Sequence, residues 1–412
     1  MDTLHPHCAG LDVHKDSIVA CIRRAGPGGR PREEVRAFGT MTRDLLALGD
    51  WLVAEGVTHA AMESTGVYWK PVWNLLEGRL ALMLVNAHHI KQVPGRKTDV
   101  KDCQWIAQLL QHGLLRPSFV PDRPQRELRD LTRQRAQLVA DKARVANRIQ
   151  KVLEDANVKL GSVASDVLGA SGRDMLRALV DGNADPAAIA EMARFRMRPK
   201  IPMLREALAG KVTPHHRFML KQLLDQVAHL DGQIAAFDAR VEEVMSPLEK
   251  EAVKRLDEMP GVEVRSAQVI VAEVGTDVGR FPSDAHLASW AGLCPGNNES
   301  AGKRRTGRVN PGNPWLRATL CQCALAAGRK KGSYYSAQYR RIAARRGRKR
   351  AALAVAHSQL VTIYHLLLDG ENYRDLGADH FDKLAPDRLK RNLVSRLEHL
   401  GYKVTLEEKP AA

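Results

Sequence analysis

The spacing of apolar residues changes character twice along the chain. Cys8 to Val13 is a short apolar run holding one acid, Asp12, and predicts a strand. Ser17 to Ile22 follows after His14-Lys15-Asp16, a polar connection that suits a hairpin. Glu34 to Phe38 reads as a third strand, and Thr42 as the cap of a helix carrying Leu45, Leu46, Leu48 and Leu52. Val57 to Met62, ending at Glu63, predicts a fourth strand, and Val67 to Leu76 a second helix. Ala81 to Val85 is a fifth strand, apolar enough to predict burial on both faces. A basic loop then leads to a helix from about Asp99 to Gln111, with Thr98 as N-cap and Gly113 past its end. This order predicts a mixed α/β sheet over residues 1–125.

Residues 126–250 follow a different period. Leu128, Leu131, Leu138, Val145, Ile149 and Val152 keep a 3-4 spacing in which Arg135 and Lys142 are the polar exceptions. Leu220, Leu223, Val227, Leu230, Ile234, Phe237, Val241 and Val244 keep it without exception. Such spacing predicts a coiled coil or a long helical hairpin. Gly169 to Pro214, between the runs, reads as short helices and loops. Residues 251–412 open on Met259-Pro260-Gly261-Val262, which resembles half of a helix-hairpin-helix and predicts backbone N–H groups aimed at a phosphate. An apolar helix is expected from Ala351 to Leu368, and the tail after Glu371 carries no identifiable chemistry.

Charge adds a partner. Lys and Arg number 63 against 47 acids, a net +16, which favours a polyanion. Ala301 to Leu368 contains no Asp or Glu but fifteen Lys or Arg. A solvated surface mixes signs, so this window predicts a phosphate-binding face. Its candidate contacts are Lys303, Arg304, Arg305, Arg308 and Arg317, and the cluster Arg345, Arg346, Arg348, Lys349 and Arg350. The six cysteines form no C-x-x-C pair, which argues against a zinc ribbon or a disulfide framework and predicts reduced thiols in a cytoplasmic protein. No apolar run approaches the roughly 18 residues of a membrane span, and the N-terminus lacks the pattern of a secretory signal. Hydrophobic content of 44% excludes a disordered chain.

Four acids stand where chemistry is plausible. Asp12 lies in the middle of an apolar strand, where a charge needs a partner or a metal. Glu63 ends another strand, and Asp99 and Asp102 share one face at the start of a helix. In a ribonuclease-H-like sheet these elements converge, and four carboxylates would hold two Mg²⁺ or Mn²⁺ ions suited to phosphoryl chemistry. Taken singly, Asp99 and Asp102 also fit a helix-dipole role, and Glu63 fits a surface strand end. A glycine-punctuated loop, Gly292 to Arg308, places Ser300 among cations. A serine so placed can attack a phosphodiester; it also fits an ordinary loop serine. The loop has neither a G-x-S-x-G elbow nor a Walker pattern.

Gly10-Leu11-Asp12-Val13-His14-Lys15-Asp16, Met62-Glu63-Ser64-Thr65-Gly66 and Lys97-Thr98-Asp99-Val100-Lys101-Asp102 resemble the three acidic motifs of the DEDD insertion-sequence transposases, the IS-one-ten family, which includes pilin-gene invertases. The Pro295 to Gly307 loop and Gly312-Asn313-Pro314-Trp315-Leu316-Arg317 resemble its C-terminal transposase motif. The resemblance implies a RuvC-like catalytic domain, a coiled coil for assembly and a C-terminal transposase domain whose nucleophile, by position, is Ser300. It implies Mg²⁺ dependence, donor and target DNA, a structured noncoding guide RNA, a tetramer and a nucleoid-associated bacterial protein. In the family, carboxylates and serine are thought to meet across subunits, forming a 5′-phosphoserine link. Two positions depart from the pattern: Cys103 replaces alanine, and Pro311 replaces a basic residue. The alternatives are a Holliday-junction nuclease that uses water, and a nucleic-acid-binding regulator without enzymatic activity.

Overall fold

A computed structural model describes residues 3–26, 31–64, 66–87, 90, 102–183, 185–296, 298–300, 302–306, 309, 311–384 and 386–407, with 298–300, 304–306 and 388 described as backbone alone. The chain divides into two compact units, Met1–Pro121 and Asp122–Ala412.

The first unit is built on a five-stranded mixed sheet. β1 (His7–Val13), β2 (Ser17–Arg24) and β3 (Arg32–Gly39) form an antiparallel meander. β4 (His59–Glu63) and β5 (Ala81–Val85) add parallel on the other side of β1, giving the order β3-β2-β1-β4-β5. α1 (Thr42–Ala54) and α2 (Trp69–Leu76) cover one face, where Leu11, Val13 and Met62 meet Leu45, Leu48, Leu52 and Leu76. α3 (Asp102–Gln111) covers the other, setting Ile106, Leu109 and Leu110 against Cys8 and Ala61. The closest approach is at Gly10. A Cβ there would lie 2.1 Å from the Cys103 carbonyl oxygen and 2.5 Å from the Ala107 nitrogen.

Several expectations change here. Thr42 is the first helical residue of α1, and Met41 occupies the cap position without a side-chain bond. β5 lies at the sheet edge rather than in the interior; Ala81 is exposed and Leu82 and Met83 are half-buried, because only β4 flanks it. β4 starts at His59 and α2 at Trp69, each two residues later than the apolar pattern suggests. Thr98 and Asp99, expected at the start of the third helix, lie outside the described residues.

In the second unit the two periodic runs become α4 (Arg123–Asp155) and α9 (Pro214–Val244), which pack antiparallel. Arg135 pairs with Asp238 and Lys142 with Asp231, so both polar exceptions of the first run meet an acid on the facing helix. Partial burial raises the Asp231 carboxyl, but hydrogen bonds from Lys142 and Arg173 outweigh this and hold it below its usual range. At the far end His216 Nε2 lies 2.8 Å from Asp155 Oδ2. The shared core takes Leu138, Val145, Ile149, Leu220, Leu223, Val227 and Leu230. Val244 falls outside it and is exposed. α5 (Leu160–Val163), α6 (Ala170–Val180), α7 (Pro186–Ala190) and α8 (Ile201–Leu208) complete that core.

The remainder is mainly helical: α10 (Pro247–Asp257), α11 (Val264–Val274), α12 (Asp284–Trp290), the hairpin strands β6 (Asn298–Ser300) and β7 (Lys303–Thr306), then α13 (Pro314–Ala327), α14 (Tyr334–Arg346) and α15 (Arg348–Asp369). α16 (His380–Leu384) and α17 (Pro386–His399) follow, and Phe381 stacks on Tyr334. Contrary to expectation, α15 is long and apolar enough to cross a bilayer. Val355, Leu360 and Ile363 are wholly buried and the helix packs on α10, α12, α13 and α14, the pattern of a core helix. The Pro260-Gly261 turn is also buried rather than open to a phosphate. Gln359 Nε2 donates to Pro260 O at 3.0 Å, Val262 N–H donates to Met259 O, and Gly261 lies against the α13 backbone.

Replacing Gly10 with Ala is expected to force α3 off β1. Chemical denaturation should register a loss of at least about 1–3 kcal/mol, the usual range for overpacking; unchanged stability would mean that α3 shifts freely over the sheet.

Candidate active site

The sheet register brings two of the predicted acids together. Leu11 pairs with Met62 in the parallel β1–β4 ladder, and one further step sets Asp12 beside Glu63 at the C-terminal ends of both strands. Alternation places Asp12 on the face of Cys8 and Gly10, and Glu63 on that of Ala61. That face is the one α3 covers, and Asp102 is the first residue of α3, next to the Cys103 that touches Gly10. Asp12 is the penultimate residue of β1, not its centre, and its side chain is 25% exposed, so water relieves part of its charge. His14 Nε2 supplies a hydrogen-bond partner at 3.2 Å from Asp12 Oδ2. From the sequence His14 reads as part of a turn; its two-residue spacing along an extended chain, which returns it to the face of Asp12, is the signal that pairs them.

The donors are all carboxylate oxygens, a set suited to Mg²⁺ or Mn²⁺. Among the described residues no group of three or more His, Cys, Asp or Glu side chains is arranged to hold a metal ion. Asp99 lies outside them. Cys8 and Cys21, on the same sheet face, take no part as ligands. Burial pushes both thiols up to about 12 and keeps them protonated.

Ser300 lies in the second unit. The structure forms a strand pair here rather than a loop: Ser300 is the last residue of β6 and pairs with Lys303 of β7. Gly302 has φ +73, a conformation that glycine tolerates. Pro295 bridges to Val309 at the hairpin's base. Lys303 is exposed; Arg304 and Arg305 belong to β7; Arg308 lies outside the described residues. Arg317, on α13, is half-buried beside Cys321.

The second basic group forms a corner. α14 ends on Arg345 and Arg346, Gly347 turns the chain at φ +83, and Arg348, Lys349 and Arg350 open α15. All five cations are exposed and none pairs with an acid among the described residues. Cations in the first turn of a helix oppose its dipole. The three on α15 therefore lower the stability of the isolated corner, and an anion bound there would offset this.

Glu273 carries no signal in the sequence pattern. It is wholly buried on α11 and accepts hydrogen bonds from Arg133 Nε and Nη2, at 2.7 and 2.8 Å, and from Asn313 Nδ2 at 2.6 Å. Arg129 reinforces the group: its Nε donates to Ala272 O at 3.0 Å and lies 3.6 Å from Glu273 Oε2. Burial pulls the Arg129 guanidinium down to about 10, so it stays charged at neutral pH.

Comparison with known proteins bears on both units. A family profile for DEDD transposases of the IS110 group matches residues 9–158, and one for the "Transposase IS116/IS110/IS902 family" matches residues 253–340. The chain is 28% identical to an uncharacterized 43.6 kDa protein of insertion element IS110 from Streptomyces coelicolor, over 68% of this chain and 73% of that protein. It is 24% identical to a transposase for insertion sequence element IS1111A from Coxiella burnetii, over 71% and 72%. It is 28% identical to an uncharacterized 42 kDa protein of insertion element IS900 from Mycobacterium paratuberculosis, over 71% and 80%.

Substituting Arg345, Arg346 and Arg348 together with Ala should flatten the dependence of duplex-DNA affinity on salt. Each lost phosphate contact removes about 0.9 from the log–log slope. Titrations at several salt concentrations measure this, and an unchanged slope would show that the corner does not face DNA.

Proposed function

This chain belongs to the IS110 family of transposases, and we propose that it cuts and rejoins DNA at a carboxylate centre with Ser300 as the attacking hydroxyl. The observation that carries this reading is the juxtaposition of Asp12 and Glu63 on one face of adjacent parallel strands, the face on which α3 begins with Asp102. An antiparallel meander continued by two parallel strands supports assigning a RuvC-like, ribonuclease-H-like fold to the first unit. The antiparallel α4–α9 pair supports a coiled-coil region over 126–250, leaving 251–412 as the transposase domain that carries the serine.

Asp12, Glu63, Asp99 and Asp102 would hold Mg²⁺ or Mn²⁺. Bound there, such ions activate the attacking oxygen and stabilise the leaving oxygen at phosphorus. His14 orients Asp12 through their hydrogen bond. The tip of a hairpin suits Ser300 to approach a phosphodiester, and Lys303, paired with it across the strands, sets a cation near the developing negative charge. In the strand-breaking step the serine oxygen bonds to phosphorus and the bond to the 3′-oxygen breaks. The serine proton passes to a carboxylate, and the 3′-oxygen departs as a hydroxyl after taking up a proton. One phosphodiester replaces another, so the reverse step rejoins DNA without an external energy source.

The basic surfaces fit donor and target DNA and a structured noncoding RNA from the flank of the element. We assign the working form to an assembly of two to four copies acting at the bacterial nucleoid.

Asp12→Ala and Asp102→Ala should each abolish Mg²⁺-dependent strand cleavage while leaving DNA affinity within about twofold, since affinity resides in the cations. With labelled DNA and denaturing gels, the wild-type protein should carry label and Ser300→Ala should carry none. Normal recombination by Ser300→Ala would assign attack to a DNA 3′-hydroxyl or to water, the latter being the chemistry of a Holliday-junction nuclease.

A further inference from the structure

We propose that Glu273 is a positioning residue for the Ser300 hairpin and acts through Asn313. The inference rests on the reading of Ser300 as nucleophile. Asn313 uses every polar group it has. Its Oδ1 accepts from Trp315 N and Leu316 N, both at 3.1 Å, and so caps α13. Its backbone N–H donates to Trp290 O at 3.1 Å, and its Nδ2 donates to Glu273. The position thus uses an acceptor for the cap and a donor for Glu273, and the Asn amide carries the two on separate atoms.

Asn313 stands at the exit of the hairpin. The preceding Gly312 presses on the segment that enters it: a Cβ at Gly312 would lie 2.3 Å from Gly292 N. Pro295 and Val309 then bridge the two legs. A two-stranded hairpin has little stability of its own, so the direction of its tip follows from how its base is held. The base is held by a carboxylate that is wholly out of water and clamped by two arginines of α4, Arg129 and Arg133. The arginine side chains in turn lie over Trp290 and Trp315, each at 5.9 Å from the ring.

Burying such a charge network is weak evidence of stabilisation, since apolar residues often serve a core as well. Its distinctive property is directional: each hydrogen bond fixes one orientation of Asn313. Small displacements of a reacting group lower rates steeply, so a lock at the hairpin's base bears on the rate even though it touches no substrate.

The test is a donor–acceptor swap in the full-length protein. Asn313→Asp keeps the cap but sets a carboxylate against Glu273. Glu273→Gln with Asn313→Asp restores the hydrogen bond with its direction reversed, because the Gln amide now donates to the Asp. Single-turnover adduct formation on labelled element-junction DNA, with RNA transcribed from the flank, should fall about 100-fold in Asn313→Asp. DNA affinity should stay within twofold, and the double variant should recover most of the rate. Amide exchange over residues 298–306 should quicken in the single variant and slow again in the double. A folded Asn313→Asp protein with wild-type rate and wild-type exchange overturns the proposal. If that variant unfolds, the double variant decides: recovery of folding without recovery of adduct formation also overturns it. Should the wild-type protein form no adduct, the nucleophile assignment fails, and the exchange data still decide whether Glu273 orders the hairpin.

Discussion

A charge can leave water only where something meets it, and that constraint organises both units of this protein. In the first, Asp12 remains near the end of β1, partly exposed and hydrogen-bonded to His14. In the second, Arg135 and Lys142 interrupt an apolar seam and each finds an acid on the opposite helix. Glu273 carries the constraint furthest, being wholly buried and surrounded by Arg129, Arg133 and Asn313. The basic corner of α14 and α15 is the contrasting case. Five exposed cations meet no acid among the described residues.

Close packing supplies the geometry that charge alone does not. α3 can lie directly against β1 because Gly10 leaves room for its backbone. Gly312 and Gly261 perform similar services in the second unit, the first at the base of the Ser300 hairpin and the second where a tight turn meets α13. In each case a missing side chain brings two backbones together and thereby fixes the direction of a segment.

Much of this was legible in the sequence. Short runs of strand length between polar breaks located all five strands of the main sheet, and the 3-4 spacing located both long helices, because a packed face fixes where apolar residues must fall. The acids were legible singly, and the structure adds the register that sets Asp12 beside Glu63. Other features had no local signal. An apolar run such as Ala81–Val85 reads the same at a sheet edge as in its interior, and Pro260-Gly261 reads the same exposed as buried. Glu273 sits in an amphipathic helix like any surface acid; its burial depends on Arg129, Arg133 and Asn313, which are far away in sequence.

The metal centre proposed at the C-terminal ends of β1 and β4 requires a divalent ion to bind there. A crystal structure determined with Mn²⁺ would locate it by anomalous scattering. Anomalous density bounded by Asp12, Glu63 and Asp102, with Asp99 completing the set, is the expected result. Saturating Mn²⁺ that leaves these strand ends empty, or that binds only elsewhere on the chain, would rule the centre out.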